Sequence, residues 1–208
     1  VSANCIVRLN TDGSIDNTFV YGSGFSGGAS YSNAIAIQGD GKILVGGNFT
    51  TYNGTSASYL VRLNTDGSLD NTFNYTLGSG VISLSIQGDG KILIGTQGGS
   101  FIYRLNTDGS VDGSFSCSLS SSVYALAIQG DGKIVIGGVF TSVNGQPNYN
   151  RIARLNSDGS IDNGFNMGVG FGGSNVFDVK IQGDGKILVG GNFYIYNATP
   201  CNNIARLN

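Results

Sequence analysis

The sequence repeats itself about every fifty residues, and this repeat limits the folds that the chain can adopt. One motif, R-L-N-(T/S)-D-G-S, begins at Arg8, Arg62, Arg104 and Arg154, and a further R-L-N begins at Arg206. A second motif, Q-G-D-G-K-I, occurs once between each successive pair of the first. Such a period is typical of propeller blades and similar arrays.

Each repeat carries the signals of β-strands. Residues Ala34–Gln38 alternate small and apolar side chains, and Lys42–Gly46 contains a short apolar run. Asp-Gly, a strong hairpin signal, separates candidate strands twice in each repeat. Because no segment shows a sustained helical period, the repeat predicts a four-stranded antiparallel meander, with strands a, b, c and d in chain order.

The turn between strands c and d fixes their register. A three-residue loop at 11–13, with glycine in the left-handed conformation, places Arg8 opposite Asp16 and Leu9 opposite Ile15. The charged pairs predict structural ion pairs between neighbouring strands. The same register pairs Arg62 with Asp70, Arg104 with Asp112 and Arg154 with Asp162.

Together the motifs R-L-N-x-D-G-S-φ-D-x-x-F and Q-x-D-G-K-I-φ-φ-G-G resemble the delta-60 repeat, a β-propeller-type repeat of bacterial surface and secreted proteins and of some phage proteins. The resemblance covers essentially the whole chain. It implies an all-β β-propeller with four-stranded antiparallel blades and an extracellular, cell-surface or virion location. It brings no catalytic residue to this sequence.

The repeats suggest one domain over residues 1–208. Its units start near residues 8, 62, 104 and 154, and a fifth begins at residue 206. Strand c occurs five times, but strands a, b and d occur four times each. We therefore expect a segment of a longer array, or a second chain that completes the propeller.

The charged residues are few and mostly fall in the two repeated motifs. The chain has eleven Lys and Arg, thirteen Asp, no Glu and no His, for a net charge of −2. This composition favours neither a nucleic-acid partner nor membrane insertion. Because the usual catalytic bases are missing, it predicts that the chain is not an enzyme and has no cofactor, with a propeller glycosidase or lyase as a remote alternative.

The charged turns resemble a calcium loop in part. Asn10, Asp12 and Asp16 have a suitable spacing, but Arg8 stands where the first ligand would be and would repel a cation. The same holds in every complete repeat, so no metal is predicted. Three cysteines form no metal-binding pattern, and a Cys5–Cys201 disulfide remains open.

Variable loops should supply any binding site. In a meander the Asp-Gly turns lie on one face of the propeller and the variable loops on the other. Amide, hydroxyl and aromatic groups there suit a protein or glycan ligand, either as a surface scaffold and interaction module or as a dedicated carbohydrate-binding module of an adhesin or phage receptor-binding component. The alternative that these aromatic residues only pack the loops against the sheets also stays open. The candidates are Tyr21, Phe25, Tyr31, Tyr52, Tyr75, Tyr149, Phe171, Tyr194 and Tyr196.

Overall fold

The structure, a computed structural model, describes residues 6–29 and 31–208. This part of the chain forms β-strands and no helix, which confirms the all-β prediction. Accordingly, no helix in the described residues could span a membrane. The strands are β1 (Phe25–Ser26), β2 (Tyr31–Ile37), β3 (Ile43–Asn48), β4 (Thr51–Tyr52), β5 (Thr55–Ser56), β6 (Leu60–Leu63), β7 (Val81–Ile86), β8 (Ile92–Thr96), β9 (Phe101–Leu105), β10 (Cys117–Ser118), β11 (Val123–Ile128), β12 (Ile134–Gly138), β13 (Ser142–Val143), β14 (Gln146–Pro147), β15 (Ile152–Leu155), β16 (Phe171–Ile181), β17 (Ile187–Tyr196), β18 (Thr199–Pro200) and β19 (Ile204–Leu207).

The main strands form antiparallel sheets that follow the repeat. Sheet I contains β2, β3 and β6; sheet II contains β7, β8 and β9; sheet III contains β11, β12 and β15; and sheet IV contains β16, β17 and β19. In each sheet these strands are the predicted a, b and c, with b in the centre. The short strands β10 and β18 extend sheets II and IV by pairing with β9 and β17.

The predicted d strand is reduced to a single bridge at its start, and in sheet II the short strand β10 then resumes the pairing with β9. Leu63 bridges Leu69, as the three-residue turn requires, so the predicted register is confirmed. The predicted length of the strand is wrong, because Asp70 turns the chain away. Its Oδ1 accepts hydrogen bonds from the backbone N (3.0 Å) and the hydroxyl (2.6 Å) of Thr72, and the Phe73 N–H donates to the Asp70 carbonyl. The equivalent bridges are Leu9–Ile15, Leu105–Val111 and Leu155–Ile161.

Successive sheets pack through their inner strands. Strand β2 contacts β7, β7 contacts β11 and β11 contacts β16. Apolar side chains from adjoining sheets fill the space between them, for example Val135 of sheet III with Val176 and Val179 of sheet IV. In sheets I to III this close approach needs the glycine that follows the apolar run of strand b, since a Cβ on Gly137 would lie 2.5 Å from a methyl group of Val176.

The connections between strands b and c fold back over the sheet. In sheet I the β4–β5 hairpin pairs with β1, and the Tyr52 hydroxyl donates to the Gly67 carbonyl (2.7 Å) in an Asp-Gly turn. In sheet III the Asn144 side-chain amide donates to the carbonyl of Gly159 (3.0 Å) in the same way. The prediction that every variable loop lies on the face opposite the Asp-Gly turns is therefore wrong for these connections.

Candidate functional site

The repeated charges form a compact cluster in each RLN hairpin, the name used here for Arg8–Phe19, Arg62–Phe73, Arg104–Phe115 and Arg154–Phe165. In the second hairpin the Arg62 Nε donates to Asp70 Oδ2 (2.7 Å), and Lys42 Nζ approaches the same oxygen at 2.8 Å. The Arg62 guanidinium lies 4.7 Å from the centre of the Phe73 ring. The carboxylate is thus held by two cations. The other three pairs, Arg8–Asp16, Arg104–Asp112 and Arg154–Asp162, are 2.7 to 2.8 Å apart.

Three of the four arginines, Arg8, Arg62 and Arg104, also reach the next hairpin along the chain. Arg62 Nη1 donates to the carbonyl of Thr107 (2.6 Å), and Arg104 Nη1 donates to the carbonyl of Ser157. Arg8 makes the equivalent bond to Thr65. One side chain therefore closes its own hairpin and joins it to the following sheet, which is a structural use of the charge.

The carboxylates in these clusters stay ionised. Hydrogen bonds from Lys91, and then from Ser114, lower the pKa of Asp112 well below its usual range. For Asp162 a hydrogen bond from Lys133 is the largest cause, and its pKa falls to about 2. Carboxylates held this firmly in the ionised state have no proton to exchange near neutral pH, so they are poor candidates for acid–base chemistry.

We expect the stability of the protein to be independent of calcium. At the second hairpin a metal would need the carboxylate of Asp70, which already accepts hydrogen bonds from Arg62 and Lys42. The melting temperature should therefore be the same in EDTA and in millimolar calcium, measured by circular dichroism. A rise of several degrees with calcium would show that the hairpins are ion sites.

Three of the predicted binding aromatic residues are core residues. Phe25 and Tyr52 pack against each other, with ring centres 4.8 Å apart, and both are buried. Phe171 is buried against Phe193 of sheet IV. Their prediction as ligand contacts is wrong, because Phe25 and Tyr52 pack into the core of sheet I and Phe171, on β16, packs into the core shared by sheets III and IV.

The other predicted aromatic residues keep some exposure. Tyr31 on β2 and Tyr194 on β17 are exposed, with Tyr194 at 66%. Tyr21 is half-buried beside the core of sheet I, and Tyr196 lines a cavity at sheet IV. Tyr75 and Tyr149 lie in two separate grooves, so the structure does not gather the predicted residues into one site.

Groove I is a cavity of about 250 Å³ between the β4–β5 hairpin and residues 69–76, which are the end of the second RLN hairpin and the segment after it. Thr55 and Ser56 line one side, and Asn71, Asn74 and Tyr75 line the other. Burial raises the pKa of Tyr75, so its hydroxyl stays protonated and able to donate. The groove offers an aromatic ring, amides and hydroxyls side by side.

Groove III is the equivalent cavity at sheet III, with a volume of about 380 Å³. It lies between the β13–β14 hairpin and residues 163–168, which are the end of the fourth RLN hairpin and the segment after it. Gln146, Asn148, Tyr149, Asn163 and Asn166 supply its polar and aromatic lining, and no charged residue takes part. The lining of groove I contains one charge, Asp70, which the ion pairs described above already neutralise.

The asparagines that line the grooves were not among the binding residues predicted from the sequence, although the sequence contains a signal for them. In the two repeats with grooves, an asparagine directly follows the phenylalanine that ends the RLN hairpin, as Phe73-Asn74 and Phe165-Asn166. Valine and serine follow at the other two RLN hairpins. In sheet II a short connection at residues 97–100 takes the place of the b–c hairpin that forms one side of groove I and groove III.

Two other sequence features fall outside the grooves. Asp178 and Lys180 are exposed on β16, with Lys180 Nζ 3.4 Å from Asp178 Oδ1. Cys117 is a buried free thiol, and its burial raises its pKa to about 12. Cys5 lies outside the described residues, so the structure says nothing of its pairing with Cys201.

Comparison with known proteins places the repeat in a family. Residues 1–19, 38–73, 87–115, 129–165 and 182–208 match the family described as domain of unknown function (DUF5122) beta-propeller. A repeat-type β-propeller was predicted, and this match confirms it. No curated protein matches the chain.

Solved structures of similar fold come from several bacteria. A catalytically inactive variant of virginiamycin B lyase from Staphylococcus aureus with quinupristin matches with a TM-score of 0.53 and 18% identity, over 85% of this chain and 52% of that chain. A protein of unknown function from Bacteroides caccae matches with a TM-score of 0.53 and 16% identity, over 88% and 62%. An extracellular domain assigned to a hybrid two component system of B. thetaiotaomicron matches with a TM-score of 0.53 and 15% identity, over 86% and 21%.

At these identities the likeness shows the β-propeller fold. This chain spans about half the length of the lyase structures that it matches. The lyase is an enzyme on this fold, which contradicts the prediction that the chain is not an enzyme. That prediction failed because a lack of His and Glu limits the catalytic groups available, whereas the fold itself accommodates catalysis.

Proposed function

The chain belongs to the DUF5122 β-propeller family, and from this premise we propose that it is an extracellular or virion-surface interaction module that binds a neutral glycan in groove I and groove III. The observation that carries the proposal is the pairing of a tyrosine with uncharged side-chain amides in both grooves, to which groove I adds the hydroxyls of Thr55 and Ser56. Sugars present apolar C–H faces and many hydroxyl groups, which suits a ring beside amides.

The placement of the grooves supports the proposal. Both are formed by loops that rest on a rigid sheet, where binding sites commonly lie. Because equivalent segments build both, a ligand with a repeating structure can occupy the two grooves of one molecule and gain avidity. The extracellular setting agrees with the resemblance in fold to an extracellular domain and with the delta-60 motifs.

A glycan array probed with the 208-residue chain tests the proposal. We expect neutral saccharides to be retained and charged ones to bind no better. Tyr75→Ala and Tyr149→Ala should each weaken binding about fivefold, since a lost aromatic contact costs about 1 kcal/mol. The double variant should lose nearly all binding.

Tyr194→Ala is the matched control, because it removes an exposed tyrosine outside both grooves. It should bind as the unmodified chain does. Retained binding in the double variant, or loss in the control, would refute the assignment of the grooves. If no saccharide binds and a protein ligand is found, the proposal that the ligand is a glycan is wrong.

A further inference from the structure

Strand β9 of sheet II begins with an exposed aromatic residue. Phe101 is 49% exposed, and the centre of its ring lies 6.4 Å from that of Tyr103. Because the two residues are two positions apart on one strand, they share a face of the sheet. The connection before them, residues 97–100, contains no hairpin that could fold back over the Phe101 ring. Phe101 and Tyr103 are called the β9 platform below.

The equivalent positions of sheets I and III carry no such platform. By the same pairing with strand b, Val61 and Ala153 occupy the position of its tyrosine. Two residues earlier, Tyr59 and Arg151 stand where its phenylalanine is, and both are half-buried. The guanidinium of Arg151 donates to two backbone carbonyls of β16. Among these three sheets, the exposed aromatic pair is therefore a property of sheet II.

The β9 platform adjoins groove I. Tyr103 packs on the core cluster between sheets I and II, as does Tyr75 of groove I. Burial raises the pKa of Tyr75 and Tyr103 adds to that effect, so the two phenol groups lie near each other. Residues 74–80 lead from groove I to the connection before β9, where the Gln97 N–H donates to the carbonyl of Gly80 (2.8 Å). Groove I and the platform thus belong to one continuous surface.

This surface has the same chemistry along its length. Residues 74–80 and 97–103 contain no charged side chain. Exposed amides and hydroxyls accompany the aromatic rings, from Asn74, Thr76, Gln97 and Ser100. Rings beside uncharged hydrogen-bonding groups suit the C–H faces and hydroxyls of a neutral sugar, as they do in groove I itself.

We propose that the β9 platform is a second sugar subsite of groove I, so that the groove binds a neutral oligosaccharide whose rings stack on Tyr75 and on Phe101. The inference rests on the proposed glycan binding and adds the length of the ligand. Beside groove III the next c strand is β19, where Asn203 and Ala205 occupy the platform positions. Groove III therefore takes a shorter saccharide than groove I.

Isothermal titration calorimetry tests the proposal with the neutral saccharide that the array retains most strongly, supplied as a disaccharide and as longer oligomers of the same repeat. Tyr149→Ala leaves groove I as the stronger site, and Tyr75→Ala leaves groove III. With Tyr149→Ala, the dissociation constant should fall about fivefold from the disaccharide to the longer oligomers, the gain expected from one further aromatic contact. With Tyr75→Ala, both lengths should bind equally.

Variants of the platform locate the source of this gain. Added to Tyr149→Ala, Phe101→Ala should abolish the gain and leave the affinity for the disaccharide unchanged, whereas Phe101→Tyr should keep both. Phe177→Ala is the matched control, because Phe177 is 53% exposed but stacks on Tyr124 of β11, outside groove I. It should retain the gain. Circular dichroism checks that each variant is folded.

The outcomes separate this inference from the proposed function. Equal binding of both lengths in the Tyr149→Ala variant would overturn the second subsite. So would a gain that survives Phe101→Ala, or a Phe101→Ala variant that weakens both lengths equally. In each case weaker disaccharide binding by Tyr75→Ala would still support glycan binding in groove I. If no saccharide binds the chain, both the proposed function and the second subsite are wrong.

Discussion

Replacement of Arg62 by alanine will lower the free energy of unfolding by about 3 to 5 kcal/mol, the usual cost of removing one partner from a buried ion pair. The Arg62 and Asp70 side chains are 7% and 5% exposed. The substitution leaves a buried carboxylate with one cation instead of two. It also removes the hydrogen bond to Thr107 that joins sheets I and II. Urea denaturation at neutral pH measures the loss.

The same substitution in the first hairpin is the matched control. Arg8 has the same motif partners, but its side chain is 36% exposed, so Arg8→Ala should cost about 1 kcal/mol or less. Equal losses in the two variants would show that the contribution of the ion pair to the free energy of unfolding does not depend on its burial. Loss of glycan binding by folded Arg62→Ala would contradict the structural assignment of the repeated charges.

Replacement of Gly137 by alanine will destabilise the protein by about 1 to 3 kcal/mol, as expected for an overpacked core. The added Cβ would lie 2.5 Å from Val176 Cγ1 and 2.9 Å from Val179 Cγ2, so sheets III and IV must move apart. The backbone of Gly137 is not left-handed, and the effect is therefore one of space. Thermal and urea unfolding measure it.

Gly190 occupies the equivalent position in sheet IV, where no atom lies within 4 Å of an added Cβ. Gly190→Ala should be neutral or slightly stabilising, because alanine loses less backbone entropy than glycine on folding. A neutral Gly137→Ala would refute the view that this glycine sets the spacing between successive sheets.

The local features of the fold were predictable from the sequence because short-range chemistry determines them. An Asp-Gly turn with a left-handed glycine fixes the pairing of the strands it joins, and Gly67 has a φ of 89° at that position. The Leu63–Leu69 bridge then follows from the register. Neither feature depends on a neighbouring sheet.

The candidate site was less predictable because it depends on how the loops pack. Tyr52 and Tyr75 both appear in variable loops, yet Tyr52 is buried and Tyr75 lines groove I. Which one stays accessible depends on the return of the β4–β5 hairpin over sheet I, a tertiary contact without a sequence period. The d strand was overestimated for a related reason, since the side chain of Asp70 bonds to the backbone ahead and ends the pairing.

Glycan binding in the two grooves is the central claim, and NMR chemical-shift mapping of the 208-residue chain with a saccharide from the array tests it most directly. We predict that the backbone amides which shift will cluster at residues 55–58 and 71–76 of groove I and at residues 146–149 and 163–168 of groove III. The RLN hairpin arginines and the exposed Asp178–Lys180 pair should be unaffected. Shifts confined to β16 or to residues 62–70 and 154–162 of the RLN hairpins, with no shift in either groove, would contradict the account.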